Sequence, residues 1–182
     1  MASWARIATR LRVPLGFLFA AAYLSLANPK WSWIVAGSTL VAAGLALRAA
    51  ASGHIRKNAE LTTTGPYAYT RNPLYLGSLF IASGFVLAAG NLWIALAAFI
   101  MFLIVYMPVI RAEEDYLRST CSEYEHYASQ VPRFFPRLHA YRTSASGAYS
   151  RELYMKHREY QAALGAILML SALIAKMLWV RH

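Results

Sequence analysis

Long apolar runs broken by short polar turns dominate the chain, and five of them approach the roughly 20 residues that a helix needs to cross a bilayer. They cover 13–27, 31–51, 74–89, 92–110 and 161–180. The first and third are short, which a thin membrane or snorkelling flanks accommodate. Arg48 and Lys176 each lie near the end of a run, close enough for the charge to snorkel outward. Only Asn28-Pro29-Lys30 parts the first two runs, and only Gly90-Asn91 the third and fourth. Each pair is therefore expected to form a helical hairpin, with both turns on one side of the membrane. Arg6, Arg10 and Arg12 ahead of a run ending in Ser25-Leu26-Ala27 imitate a cleaved signal peptide, but the later spans argue for a retained anchor. The pattern predicts an all-α integral membrane protein of about five transmembrane helices. An N-terminal hairpin occupies 1–51, a core 52–141 with a cytoplasmic extension from 111, and a linker with a C-terminal helix 142–182. Small residues at Gly16/Ala20, Gly37/Gly44 and Gly77/Ser78/Gly84 would let helices approach closely in lipid.

Composition strengthens this picture. Apolar residues make up 58% and charged ones 14%, a balance that suits a membrane rather than a soluble globule. Cys121 is the single cysteine, so an intramolecular disulfide is excluded and the thiol is read as an ordinary small side chain. The formal charge of +10 comes without a basic stripe interleaved with stacking aromatics, so no nucleic-acid partner is expected; anionic lipid headgroups are the expected counter-charge. Lys and Arg also set orientation. Three lie in the N-terminal arm, three in 52–73 and eight in 111–160, against Lys30 and Arg181 on the other side. This puts the N-terminus in the cytoplasm and the C-terminus opposite, with the plasma (inner) membrane the expected host if the source is bacterial. All eight acidic residues fall in the cytoplasmic segments, which is where chemistry is to be sought.

The first such segment contains a Gly65-Pro66 turn and then Asn72-Pro73, an N-cap followed by proline at the first helical position. A helix starting there at the membrane surface offers N–H groups and a positive dipole end to an anionic group such as a carboxylate. Tyr67, Tyr69 and Tyr75 suit an interfacial belt. In the second segment, Glu113-Glu114-Asp115 would oppose the dipole of a helix ending at 110, so the helix is expected to run on into water, with Glu114 and Arg118 at pairing distance. Acids at the mouth of a helical bundle also suit a cationic ligand. Pro132 and Pro136 end the following helix, and their apolar-basic surroundings suit a return to the lipid surface. Residues 142–150 read as a linker.

Over 52–138 the chain resembles the integral membrane methyltransferases typified by isoprenylcysteine carboxyl methyltransferase, with phospholipid N-methyltransferases as relatives. The resemblance rests on Thr64-Gly65-Pro66-Tyr67, Arg71-Asn72-Pro73-Leu74-Tyr75-Leu76-Gly77, Glu113-Glu114, and Tyr124, Tyr127 and Val131-Pro132 in that order. It implies methyl transfer from S-adenosylmethionine to a lipophilic acceptor, with a cytoplasm-facing cofactor pocket built from 59–77 and 111–137. The implied cofactor contacts are Glu60, Leu61, Thr62, Tyr67, Asn72, Pro73, Leu74, Tyr75 and Glu113, with no metal. The family usually has Arg-His-Pro where this chain has Arg71-Asn72-Pro73; asparagine still caps and hydrogen-bonds but does no imidazole acid–base chemistry. For a carboxylate acceptor Arg111 is the orienting candidate; for an amine, Glu114 is the candidate to attract it and take its proton. His54 and His126 are further candidates for accepting a proton, beside the alternative of ordinary surface histidines. Two other classes stay open: a sterol-reductase-like enzyme using NADPH, and a non-enzymatic scaffold or transport subunit. The acceptor, the oligomeric state and the role of the last helix are not readable from the sequence.

Overall fold

A computed structural model describes residues 2–55, 61–142 and 147–180. Glu60, Arg56, Lys57 and the middle of the 142–150 segment lie outside the described residues. Within them all regular structure is helical: α1 (Ala2–Leu26), α2 (Trp31–Ser52), a 3₁₀ turn (Gly65–Ala68), α3 (Pro73–Ala89), α4 (Leu92–Met101), a π turn (Phe102–Tyr106), α5 (Met107–Thr120), α6 (Tyr124–Gln130), α7 (Arg151–Lys156) and α8 (Tyr160–Val180).

Each of the five apolar runs is helical. Three helices are long and apolar enough to cross a membrane: Trp31–Ser52, Leu92–Thr120 and Tyr160–Trp179; Pro14–Leu26 and Pro73–Ala89 are apolar but shorter. The first helix begins well before its apolar run, at Ala2, and carries Pro14 inside it. From Leu92 to Thr120 the chain is one helical run of 29 residues. At 1.5 Å per residue it is about 43 Å long, against about 30 Å of hydrocarbon. The continuation expected from the three adjacent acids is therefore present. Its π turn is a local widening of the kind often found near functional positions.

The chain divides into two compact units. Unit 1 comprises Met1–Val41, Ala82–Asp115 and Ala166–His182; unit 2 comprises Ala42–Ile81 and Tyr116–Gly165.

Unit 1 has a core of Tyr23, Ala27, Ile34, Ala88, Ala89, Ile94, Leu173 and Met177. Its two turns lie side by side, because the Asn28 N–H donates to Ala89 O at 2.8 Å. Asn91 serves both hairpins: its side-chain oxygen accepts from Trp93 N, capping α4, while its amide donates to Leu26 O at 2.8 Å. Lys176 does not snorkel as expected. Its ammonium donates to Leu24 O, Ser25 O and Ala27 O at 2.7, 2.9 and 2.8 Å, because the unpaired carbonyls and negative dipole end of α1 bind a cation better than open lipid does. Gly84 lies against α2, where a Cβ would come 2.5 Å from Gly37 O.

In unit 2 the same two helices meet through Gly44 and Gly77: a Cβ on Gly44 would lie 2.5 Å from Gly77 O. The pairs 37/84 and 44/77 thus define an antiparallel contact with a seven-residue repeat on each helix, the spacing of a left-handed helix pair. A Cβ at Gly16 would meet nothing within 4 Å, so the close approach expected there is absent among the described residues. Arg48 also differs from the snorkelling expectation. Its guanidinium is bidentate to Glu159, Nε to Oε2 at 2.9 Å and Nη2 to Oε1 at 2.7 Å, and it donates to Ser78 Oγ and Leu74 O. A planar fork facing a carboxylate in apolar surroundings is worth more than a solvated charge reached by stretching. Segment 147–150 is docked rather than a loose linker: Ser150 N–H donates to Gly53 O at 2.8 Å, and Tyr149 and Thr64 pack where a Cβ would stand on Gly53 and Gly147.

Candidate functional site

The motif around Asn72 is held from below by residues sixty positions further on. The 3₁₀ turn at Gly65–Ala68 starts with Gly65 at φ +59°, a left-handed conformation, and a Cβ there would press into the His54 ring at 2.6 Å, so glycine is required twice over. Pro66 follows, with its φ fixed for the turn. The chain then runs through Thr70 and Arg71 into α3. Asn72 sits in the N-cap position: its carbonyl accepts from Leu76 N at 2.9 Å, and Pro73 opens the helix where a missing N–H costs nothing. Its side-chain amide lies 3.5 Å from Arg133 O, a long contact. Both Asn72 and Pro73 are buried, while Leu74 and Tyr75 are half-buried in the first turn.

The second half of the motif does this holding. Tyr124, Tyr127 and Val131 form a small core in unit 2, with Leu61, Leu117, Cys121, Ala128 and Tyr141 packed against it. From that core Tyr127 donates its hydroxyl to Tyr67 O at 2.7 Å, Pro132 O accepts from Arg71 N at 2.9 Å, and Arg133 O accepts from Thr70 Oγ1 at 2.9 Å. Pieces of sequence that looked like separate signatures are therefore two sides of one packed unit. Of the expected cofactor contacts, this unit brings together Leu61, Thr62, Tyr67, Asn72, Pro73, Leu74 and Tyr75. Leu61 is committed partly to the tyrosine core, and Tyr67 is buried, so of the three tyrosines expected in an interfacial belt only Tyr69 is exposed.

Arg111, Glu113 and Glu114 belong to unit 1, on α5. Glu114 is 2% exposed and shares a helix face with buried Ile110, four residues before it; Glu113 and Arg111 are exposed. The adjacent acids thus have different environments, one withdrawn from water and one in it. Arg118, expected to stand at pairing distance from Glu114, forms a salt bridge with Glu125 across the turn into α6.

Two residues not singled out as a pair form the most buried ionic contact described here: Arg48 and Glu159, with side chains 23% and 11% exposed. The signal for Arg48 is a lone charge near the end of an apolar run, which in lipid calls for a named partner; Glu159, next to Arg158 ahead of the last run, carries no such signal. His54 donates Nδ1–H to Ala50 O at 2.7 Å, which fixes its tautomer and leaves Nε2 as the only basic nitrogen; His126 is exposed. Among the described residues no group of three or more His, Cys, Asp or Glu is placed to hold a metal ion.

Residues 51–123 match the family model described as phospholipid methyltransferase. The resemblance to membrane methyltransferases read from the sequence is thereby borne out over that segment. The chain is similar to the nickel-cobalt-cadmium resistance protein NccN of Alcaligenes xylosoxydans xylosoxydans, 34% identical over 103 residues, 54% of this chain and 48% of that protein. It is also similar to the cobalt-zinc-cadmium resistance protein CzcN of Cupriavidus metallidurans, 39% identical over 87 residues, 48% of this chain and 40% of that protein. In both cases the match spans less than half the length of the relative. No solved structure matches the chain.

Proposed function

We propose that the protein is an S-adenosylmethionine-dependent membrane methyltransferase whose acceptor is lipophilic and arrives from the bilayer. The observation that carries this reading is the phospholipid methyltransferase match over 51–123, which contains the whole Gly65–Tyr75 turn and helix start and the Glu113-Glu114 pair. In unit 2 the first turn of α3 offers N–H groups and a positive dipole end suited to a carboxylate, and in unit 1 Glu113 is an exposed acid suited to an ammonium. No metal is called for.

When bound, S-adenosylmethionine supplies an electrophilic methyl on a good leaving group. The chain's own work is to align the acceptor with that methyl and to exclude water. Of the two acceptor chemistries, an amine is favoured by the matched family's description and by buried Glu114, whose carboxylate would attract the amine and hold the proton it loses as the N–C bond forms. Arg111 is the residue to orient a carboxylate acceptor such as an isoprenylcysteine-like compound. The functional end faces the cytoplasm in this reading. In support, the two hairpin turns and the Lys176 end of α8 are tied together at the opposite, charge-poor end of unit 1.

Isothermal titration of S-adenosylmethionine and its demethylated product into the detergent-purified protein tests this. Saturable binding, lost in Glu113→Gln with an unchanged melting temperature, is expected. No binding by folded wild-type protein overturns it; NADPH binding would then mark the reductase class, and indifference to both ligands a scaffold.

A further inference from the structure

Residues 131–142, Val-Pro-Arg-Phe-Phe-Pro-Arg-Leu-His-Ala-Tyr-Arg, contain three arginines, one histidine and no acid. Pro132 and Pro136 withhold two backbone donors, and the segment forms no helix. It is nevertheless fixed in place. Pro132 O accepts from Arg71 N, Arg137 N–H donates to Tyr69 O at 3.0 Å, and Tyr141 N–H donates to Ala68 O at 2.8 Å, with the Tyr141 ring edge-on to Tyr127 at 5.5 Å. A strap pinned at both ends still presents Phe135 at 88% exposure and Leu138 at 93%. Two large apolar side chains displayed on a fixed backbone are costly in water unless something covers them.

Depth and charge identify the cover. The strap bonds to residues 68–71, immediately ahead of Pro73, where apolar α3 begins; a helix entering hydrocarbon at that point puts the strap at headgroup level. Arg142 is exposed and Arg137 half-exposed, and Glu125 on neighbouring α6 is engaged by Arg118. We propose that the 132–142 strap is an interfacial anchor for anionic phospholipid. Phe135 and Leu138 sit among the upper acyl chains, and Arg137 and Arg142 face the phosphates. The anchor holds the Asn72 helix start at a set depth in the cytoplasmic leaflet.

The test uses the full chain with Cys121→Ala, spin-labelled singly at Phe135→Cys, Leu138→Cys, Ser122→Cys or Ser129→Cys, in vesicles of phosphatidylcholine with or without phosphatidylglycerol. In anionic vesicles the nitroxides at 135 and 138 are expected to be more accessible to oxygen than to a soluble nickel chelate, with the reverse at 122 and 129. Arg137→Gln with Arg142→Gln should return the label at 138 to its neutral-vesicle value while the melting temperature holds. Labels at 135 and 138 as nickel-accessible as the controls would overturn the proposal. So would equal depth in neutral and anionic vesicles, or protection from both reagents, which marks a protein partner.

Discussion

In unit 1 the bonds of Lys176 and Asn91 end on backbone carbonyls at helix termini, whereas in unit 2 Arg48 is joined to the side chain of Glu159 and the remaining long-range bonds tie irregular backbone. Lys176 reads Leu24, Ser25 and Ala27 only as carbonyls, and Asn91 reads Leu26 in the same way. Arg48 requires Glu159, and the Asn72 turn requires Tyr127 and Thr70. The difference follows from what each unit contains. The described residues of unit 1 are mostly regular helix, which leaves its unmet backbone groups at its ends. Unit 2 contains irregular stretches whose backbone must find partners one at a time. The acceptors of Lys176 and Asn91 in unit 1 should therefore tolerate a change of side chain, and Glu159 in unit 2 should not.

The largest effect is expected from separating Arg48 and Glu159. Glu159→Gln should cost about 3 kcal/mol, the low end for a broken buried pair, because the arginine side chain keeps 23% exposure. The reversed pair, Arg48→Glu with Glu159→Arg, should recover part of it in thermal unfolding in detergent. A neutral Glu159→Gln would remove the contrast between the units. Next, Gly84→Ala in unit 1 and Gly44→Ala in unit 2 each drive a Cβ to 2.5 Å from a facing carbonyl. Overpacking of that kind costs about 2 kcal/mol, and equal losses would show that the helix pair, unlike the polar bonds, is built alike in both. The smallest effect belongs to Lys176→Met, which keeps the apolar stem but withdraws the charge from the end of α1, at about 1 kcal/mol. Ser25→Ala, at an exposed side chain whose carbonyl accepts from Lys176, should leave the melting temperature unmoved; a loss there comparable to that of Lys176→Met would contradict the carbonyl reading.

The helices were legible because a bilayer demands long apolar runs, and the turns because Asn-Pro and Gly-Asn stand between them. The close α2–α3 contact was legible in Gly37, Gly44, Gly77 and Gly84, whose spacing repeats, but Gly16 shows that a small residue alone does not summon a neighbour. The Asn72-Pro73 helix start was readable from cap chemistry, which is local. The bonds of Arg48 and Lys176 were not. One joins residues 111 positions apart with no periodicity between them, and the other ends on carbonyls that every residue possesses. The burial of Glu114 beside exposed Glu113 was also hidden, since three consecutive acids do not reveal which one turns inward. Helical residues before Pro14 escaped notice because no apolar run marks them.

The three bonds from Lys176 to the end of α1 span 149 to 152 positions of chain. Synthesis proceeds from the N-terminus, so the ribosome completes the first helix and its turn long before it makes the ammonium that will close that helix's open end. During most of translation α1 must rely on water, lipid headgroups or the insertion machinery for those carbonyls. Arrival of the last helix is then a closing step, and a nascent chain halted before residue 176 would carry every hairpin turn yet leave its first helix without its latch.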